Sequence, residues 1–227
     1  MTRIPQHLIR ALPADQRGPF EATNRQLAAL KRSANCRGDW AEYLEIHDKG
    51  DRINAFIKIC HLIEPSEYWP LLRFVWVEGE FFDQRDLWTT ALSAHPEHRQ
   101  AMMLPNEAEA LDLLPKTIDV YRGAGTRDDL LSGFSWTLDR ERAVWFSARF
   151  VGSQRLVARG RIKQKKVIAL IEERGEREIV GLPPDIDVDA VETISVAETE
   201  ASPTTSPTTT SSGAPMILAP SPSPPGS

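Results

Sequence analysis

The chain has 227 residues, 41% of them hydrophobic, and a formal net charge of −5, which suits one sizeable core and argues against nucleic-acid binding by the whole surface. Its two cysteines, Cys36 and Cys60, have neither metal-ligand spacing nor a disulfide framework, and no stretch approaches the roughly 20 apolar residues of a membrane span. Because the first residues also lack the apolar run of a secretory signal, we expect a cytoplasmic protein, with delivery into a host cell left open.

Residues 1–112 are predicted to form a helical N-terminal region. Apolar residues recur there at three- and four-residue steps, which is typical of helices with one buried face. Asn106 is expected to cap the last of these helices, with Glu109 three residues later in a variant of the capping box, and Pro115 to end it. The predicted helices cover residues 24–31, 51–63, 68–80, 84–94 and 107–113.

The pattern changes from helical to extended after Pro115, so residues 113–198 are predicted to form an α+β core. A helix capped by Asp139 is expected to run through Arg149 and to bury Ala143, Phe146 and Phe150. The run 167–171 is continuously apolar, which favours a fully buried strand. The other predicted strands are 118–123, 134–138, 155–162, 178–180 and 188–196.

The last segment, residues 199–227, is predicted to be a disordered tail. It consists largely of Ser, Thr and Pro, and holds seven of the chain's 17 prolines. Such a composition cannot bury enough apolar surface to offset the entropy lost on ordering.

Two polar motifs lie on the first two predicted strands. Arg122 ends the first strand and can hold a pyrophosphate through two parallel hydrogen bonds, while Gly123 lets a ligand approach the backbone closely. In Ser135-Trp136-Thr137 the two hydroxyls alternate with Trp136, so both face one side of the strand. Each motif taken alone is also compatible with a surface ion pair or with ordinary strand chemistry.

A third motif, Glu176-Arg177-Glu178, follows a buried strand and a glycine turn and leads into an Ile-Val strand. Glu-x-Glu occurs three more times in the chain, so the pattern is distinctive only through this position. The order Arg, Ser-x-Thr, Glu-x-Glu over residues 118–196 resembles the Arg-Ser-Glu class of mono-ADP-ribosyltransferases of phage and bacterial toxin type.

The resemblance implies a split β-sheet core with NAD bound in a cleft between two small sheets. Such an enzyme moves ADP-ribose from NAD to a macromolecular acceptor and releases nicotinamide, with NAD hydrolysis as a side activity. The expected catalytic residues are Arg122, Ser135, Glu176 and Glu178. The expected NAD-binding residues are Arg122, Gly123, Ser135, Thr137, Phe146 and Arg149.

In this assignment Glu178 hydrogen-bonds the nicotinamide ribose and Glu176 faces the acceptor, a feature that goes with arginine modification in relatives. Phe146 would stack on nicotinamide and Arg149 would reach phosphate, as in related toxins. Helix core for Phe146 and a solvated charge for Arg149 stay open as alternative interpretations.

The chemistry also follows from the residue types. Breaking the bond between nicotinamide and ribose gives an oxocarbenium-like transition state, which a nearby carboxylate stabilises. Nicotinamide leaves from a cationic form and needs no general acid, which fits a site without histidine: all five histidines lie between residues 7 and 98. No metal is expected, because the histidine pair at 95 and 98 lacks completing ligands.

Two features depart from the family pattern. Arg122 and Ser135 are only 13 residues apart, so the helices often found between them are expected to be missing, and Trp136 stands where many relatives carry a small residue.

We expect a protein arginine as acceptor. The alternatives are a nucleic-acid base, steered by the basic run 155–166, or a non-catalytic NAD-binding module. For that basic run we favour a solvated edge strand, where Lys and Arg discourage aggregation, over nucleic-acid binding.

Overall fold

The computed structural model describes residues 6–79, 84–149, 155–173 and 175–194. A helical first half precedes an antiparallel sheet, so the predicted α+β class is confirmed at that level. The predicted tail lies outside the described residues. Within those residues, none of the helices combines the length and the apolar character needed to cross a membrane.

The helices of the first half follow the predicted positions from residue 52 onward. The helix α2 (Ala14–Arg37) is much longer than predicted: it has 24 residues, and its C-cap Gly38 adopts the left-handed conformation. Its sequence is polar and buries Leu27 and Ala34, so its periodicity is weak. The helices are α1 (Gln6–Ala11), α2 (Ala14–Arg37), α3 (Trp40–Glu45), α4 (Arg52–Ile59), α5 (Pro65–Glu78), α6 (Arg85–Ser93) and α7 (Pro105–Asp112).

The predicted cap of α7 is wrong. The helix begins at Pro105, whose fixed φ suits the first helical position, and the N-cap is Leu104 rather than Asn106. Glu107, not Glu109, reaches back to accept a hydrogen bond of 2.8 Å from the Leu104 backbone N–H. The start of this helix is therefore fixed by a glutamate that also has a buried partner, described below.

The second half forms one six-stranded antiparallel sheet in the order β4-β5-β2-β1-β3-β6. One helix, α8 (Arg127–Leu131), of five residues, lies between Arg122 and Ser135. The elements are β1 (Thr117–Ala124), α8 (Arg127–Leu131), β2 (Ser135–Thr137), α9 (Arg140–Ala148), β3 (Leu156–Lys163), β4 (Ala169–Ile171), β5 (Glu178–Val180) and β6 (Ile186–Thr193).

The sheet is nearly divided in its middle. β1 and β3 pair over eight residues, and β2 and β5 over three, whereas β1 and β2 pair only at Tyr121 and Thr137. Two three-stranded halves, β4-β5-β2 and β1-β3-β6, therefore meet at one residue pair.

The edge-strand interpretation of the basic run is wrong, because β3 lies between β1 and β6. Its arginines pair with acidic residues of those neighbours: Arg159 lies 3.3 Å from Asp119, and Arg161 lies 3.4 Å from Asp189. Asp119 raises the pKa of Arg159. Cross-strand ion pairs thus offset much of the positive charge that the sequence displays.

Helix α9 begins as predicted: the Asp139 side chain accepts a hydrogen bond of 2.8 Å from the Glu141 N–H. It packs against β1 so closely that a Cβ on Gly123 would lie 1.9 Å from the Ala143 carbonyl oxygen. Ala143 is buried as predicted, but Phe146 is only half-buried, because it faces a cavity rather than the core. Phe150 lies outside the described residues.

One hydrophobic cluster joins the helices to the sheet. Along β4, Ala169 and Ile171 pack with residues of α4, α5 and α6, while Leu170 packs in a second cluster with Trp136 and Ile179. The alternation matches a strand buried on both faces, as its continuous apolar sequence predicted. The helical region therefore covers one face of the β4-β5-β2 half, which brings α5 to the candidate site.

Candidate active site

A cavity of about 170 Å³ opens where α5, α9 and the β4-β5-β2 half meet. Its wall combines aromatic and aliphatic side chains with three carboxylates and one guanidinium. The lining residues are Trp76, Val77, Ser135, Phe146, Arg149, Ile171, Glu173, Glu176 and Glu178.

Glu178 stands at the start of β5, and each of its carboxylate oxygens accepts a hydrogen bond. The Ser135 hydroxyl donates to Oε1, and the Trp76 indole N–H donates to Oε2 at 3.2 Å. The strand register explains the first contact. Ser135 opposes Val180 and Thr137 opposes Glu178, so these four side chains share one face of the sheet.

The Thr137 hydroxyl does not line the cavity; it holds the loop before β5. It is buried, donates to the Glu176 carbonyl at 2.7 Å and accepts from the Asp139 N–H at 3.1 Å. Gly175 and Arg177 flank Glu176 with positive φ values of 63° and 44°, and Arg177 pays a steric cost there that glycine avoids. The Glu176 side chain is thus presented to the cavity from an anchored turn.

Arg122 lies behind the cavity wall, outside the lining residues. Its Nε donates to the Asp129 carbonyl at 3.2 Å and its Nη1 to the Ser135 carbonyl at 2.5 Å. Gly133 makes room for it, since a Cβ there would lie 2.0 Å from the Arg122 Cζ. Burial lowers the pKa of Arg122 to about 10, against the opposing effect of Glu178, so the group stays cationic at neutral pH.

The hydrogen bonds of Arg122 hold the backbone around it. Two of its five guanidinium N–H groups have partners among the described residues, and both partners are backbone carbonyls that fix β2 and the end of α8. In this structure Arg122 therefore supports the cavity wall through the Ser135 backbone and does not itself line the cavity.

Of the residues predicted from helix α9 and the glycine motif, two line the cavity and one does not. Phe146 and Arg149 are lining residues, while Gly123 faces the α9 backbone. The Arg149 guanidinium is exposed and lies 5.9 Å from the Phe146 ring centroid and 5.3 Å from that of Trp145.

The sequence did not predict that the helical region supplies part of the wall. Trp76 and Val77 come from α5, and one turn earlier Arg73 binds Glu107 at 2.7 and 3.0 Å and Glu173 at 3.2 Å. Glu107 also accepts from the Glu172 N–H at 2.9 Å. We call Arg73 and Glu107 the buried clamp, because together they tie α5, α7 and the end of β4.

Burial on its own would raise the pKa of Glu107. The hydrogen bonds from Arg73 and from the N–H groups of Glu172 and Leu104 outweigh that effect and hold its pKa below the ordinary value of 4.5. The clamp carboxylate is therefore ionised at neutral pH, although the side chain is only 1% exposed.

Among the described residues, no group of three or more His, Cys, Asp or Glu side chains is placed to hold a metal ion. Comparison of the chain with protein-family models, with curated proteins and with solved structures found no match. Function is therefore inferred from the chemistry of the cavity itself.

Proposed function

We propose that the protein is an NAD-dependent mono-ADP-ribosyltransferase that moves ADP-ribose from NAD to a macromolecular acceptor and releases nicotinamide. The observation that carries this proposal is the Glu178 carboxylate, held by Ser135 in the wall of a cavity with Arg122 directly behind it. Three motifs that are 13 and 43 residues apart along the chain thus belong to one hydrogen-bonded group, which supports the proposal.

The cavity suits one end of a dinucleotide. Its 170 Å³ falls below the roughly 300–1,000 Å³ of pockets that enclose a drug-sized ligand, so it takes the nicotinamide and its ribose rather than all of NAD. Phe146 offers aromatic surface to the nicotinamide ring, and the exposed Arg149 offers a cation to phosphate. The near-division of the sheet between β1 and β2 supports the expected split-sheet core.

Glu178 supplies the charge that the reaction needs. As the bond to nicotinamide breaks, positive charge develops on the ribose, and a fixed carboxylate at that position stabilises it more strongly than water does. Ser135 orients the carboxylate, and Arg122 holds the Ser135 carbonyl, so the three residues form one support.

A protein arginine is the acceptor that Glu176 favours. This side chain lines the cavity two residues before Glu178, and its backbone is held by Thr137. A carboxylate there can bind a guanidinium and orient it towards the ribose. Glu176→Gln should abolish arginine transfer while NAD hydrolysis is largely kept, and normal arginine modification by this variant would refute the acceptor assignment.

One observation favours a nucleic-acid base as a second candidate acceptor. Trp145 is 43% exposed beside the cavity, with the guanidinium groups of Arg142 and Arg149 at 5.7 and 5.3 Å from its ring. An exposed indole flanked by cations is a suitable platform for base stacking. Trp145→Ala should lower modification of nucleic acid and leave protein modification unchanged.

The decisive experiment measures nicotinamide release from labelled NAD by the wild type, by Glu178→Ala and by the control Glu109→Ala, with cell lysate present. Glu109 is exposed on α7 and lies outside the lining residues. We expect release and labelling by the wild type and the control, and neither by Glu178→Ala. A folded wild type that binds NAD without releasing nicotinamide would instead identify a binding module.

A further inference from the structure

Helix α5 contributes a donor to the proposed catalytic carboxylate from outside the segment that carries the three motifs. Trp76 lies 102 residues before Glu178 in sequence, and its indole N–H donates to Glu178 Oε2 at 3.2 Å. The side chain is 3% exposed and lines the cavity with one edge. Trp76 is therefore a buried, largely apolar side chain whose one polar group, the indole N–H, faces the site.

The indole is held in place from two sides. Its ring packs edge-to-face against Trp88 of α6, with ring centroids 4.9 Å apart and an interplanar angle of 83°. One turn earlier on α5, Arg73 joins Glu107 in the buried clamp and also binds Glu173 beside the cavity. A donor fixed in this way cannot follow Glu178 if the carboxylate turns, so it defines where the carboxylate points.

A carboxylate needs two fixed contacts to have one orientation. The terminal torsion of a glutamate is broad and roughly two-fold, so the Ser135 hydroxyl on Oε1 leaves the plane of the group free to rotate. The second donor, on Oε2, removes that freedom. Because catalysis by electrostatic stabilisation depends on groups that are oriented before the reaction, the second contact matters for the rate.

We propose that Trp76 is a positioning residue for Glu178, supplied to the active site by the helical region; this inference rests on the proposed function. It acts through Glu178. Its removal should therefore lower kcat for nicotinamide release while KM for NAD changes little, because substrate contacts stay in place. A residue that only supported the fold would change the melting temperature without separating kcat from KM.

The test compares Trp76→Phe with Trp88→Phe. Both substitutions remove an indole from the same core cluster, and it is the Trp76 indole that donates to Glu178. We expect Trp76→Phe to lower kcat about tenfold, equivalent to about 1.4 kcal/mol, with KM within about twofold of the wild type. Trp88→Phe should keep both constants, whatever it does to the melting temperature.

Benzothienylalanine introduced at position 76 provides a second variant if Trp76→Phe folds poorly. It keeps the shape of tryptophan and lacks the N–H, so it should reproduce the loss of kcat. Wild-type kcat in either folded variant would overturn the inference, as would a raised KM at unchanged kcat, which would assign Trp76 to NAD binding. If the wild type itself releases no nicotinamide, the proposed function fails first, and the inference fails with it.

Discussion

The buried clamp makes a strong stability prediction, because a single substitution leaves a buried guanidinium facing a neutral group. Glu107→Gln keeps the shape of the side chain and removes its charge. In the wild type, four N–H donors converge on this carboxylate: two from Arg73 at 2.7 and 3.0 Å, and the backbone groups of Leu104 and Glu172 at 2.8 and 2.9 Å. A glutamine presents one acceptor oxygen and adds an NH₂ group among donors.

Removing one partner of a buried ion pair costs about 3–5 kcal/mol. Glu107 is 1% exposed and Arg73 is 12% exposed, so solvent screens this pair weakly, but Arg73 keeps Glu173 at 3.2 Å, so the lower end of this range applies. For a chain of this size, each kcal/mol lowers the melting temperature by about 2–4 °C. We therefore expect Glu107→Gln to melt about 10 °C below the wild type, with an equivalent loss in the free energy of unfolding.

Glu109→Gln on the same helix is the matched control, because Glu109 is exposed and surface substitutions of this kind stay within about 0.5 kcal/mol. Urea unfolding followed by tryptophan fluorescence and thermal unfolding followed by circular dichroism give both quantities. If Glu107→Gln melts within about 2 °C of the control, the clamp does not connect the helices to β4 energetically, and its geometry has been over-interpreted.

Three further predictions concern the pH dependence of the clamp and the backbone conformation at other positions. The wild type should have a larger free energy of unfolding than Glu107→Gln, by an amount that is constant above the ordinary carboxyl pKa of 4.5. This difference should shrink as the pH falls through the lowered pKa of Glu107 in the folded protein, because the stabilising carboxylate is then protonated. Urea unfolding from pH 7 to 3 measures it, and a difference that stays constant at all pH values would contradict the prediction. Gly123→Ala should destabilise by more than about 2 kcal/mol through collision with the α9 backbone, whereas Gly18→Ala, with open space around it, should gain about 0.5–1 kcal/mol. Arg177→Gly should be about 1 kcal/mol more stable than Arg177→Ala, because only glycine relieves the left-handed backbone at φ 44°; equal melting temperatures would argue that no strain is stored there.

Much of the second half could be predicted from sequence because strand alternation is local. The pattern Ser-Trp-Thr is sufficient to place Ser135 and Thr137 on one face, and the structure puts Trp136 in the cluster on the other. The continuous apolar run predicted a buried strand, and β4 is buried at every position. These inferences needed only the two-residue period of a strand.

Other features depend on contacts that no local pattern encodes. β3 alternates as an edge strand would, but the pairing of β6 beyond it makes it internal. Phe146 has the spacing of a core residue, and it is the cavity between α9 and α5 that leaves it half-buried. Trp76 looks like one more apolar residue on its helix, and the contact with Glu178 spans 102 residues of sequence.

The clamp, by contrast, leaves a trace in the sequence. Arg73 lies four residues after Trp69 and three before Trp76, so it occupies the buried side of α5, and both tryptophans are within the core. Glu107 lies four residues before the buried Leu111 and occupies the equivalent position on α7. A charge at a core-facing helical position needs a partner, because an unpaired buried charge is too costly.

Two opposite charges in such positions on two amphipathic helices are therefore expected to form an ion pair with each other. The α5 turn that holds Arg73 also carries Trp76, so this pair fixes the helix that reaches the proposed active site. Opposite charges on the apolar faces of two helices thus encode the connection between the helical region and the site, whereas the motifs of the second half carry no sign of it.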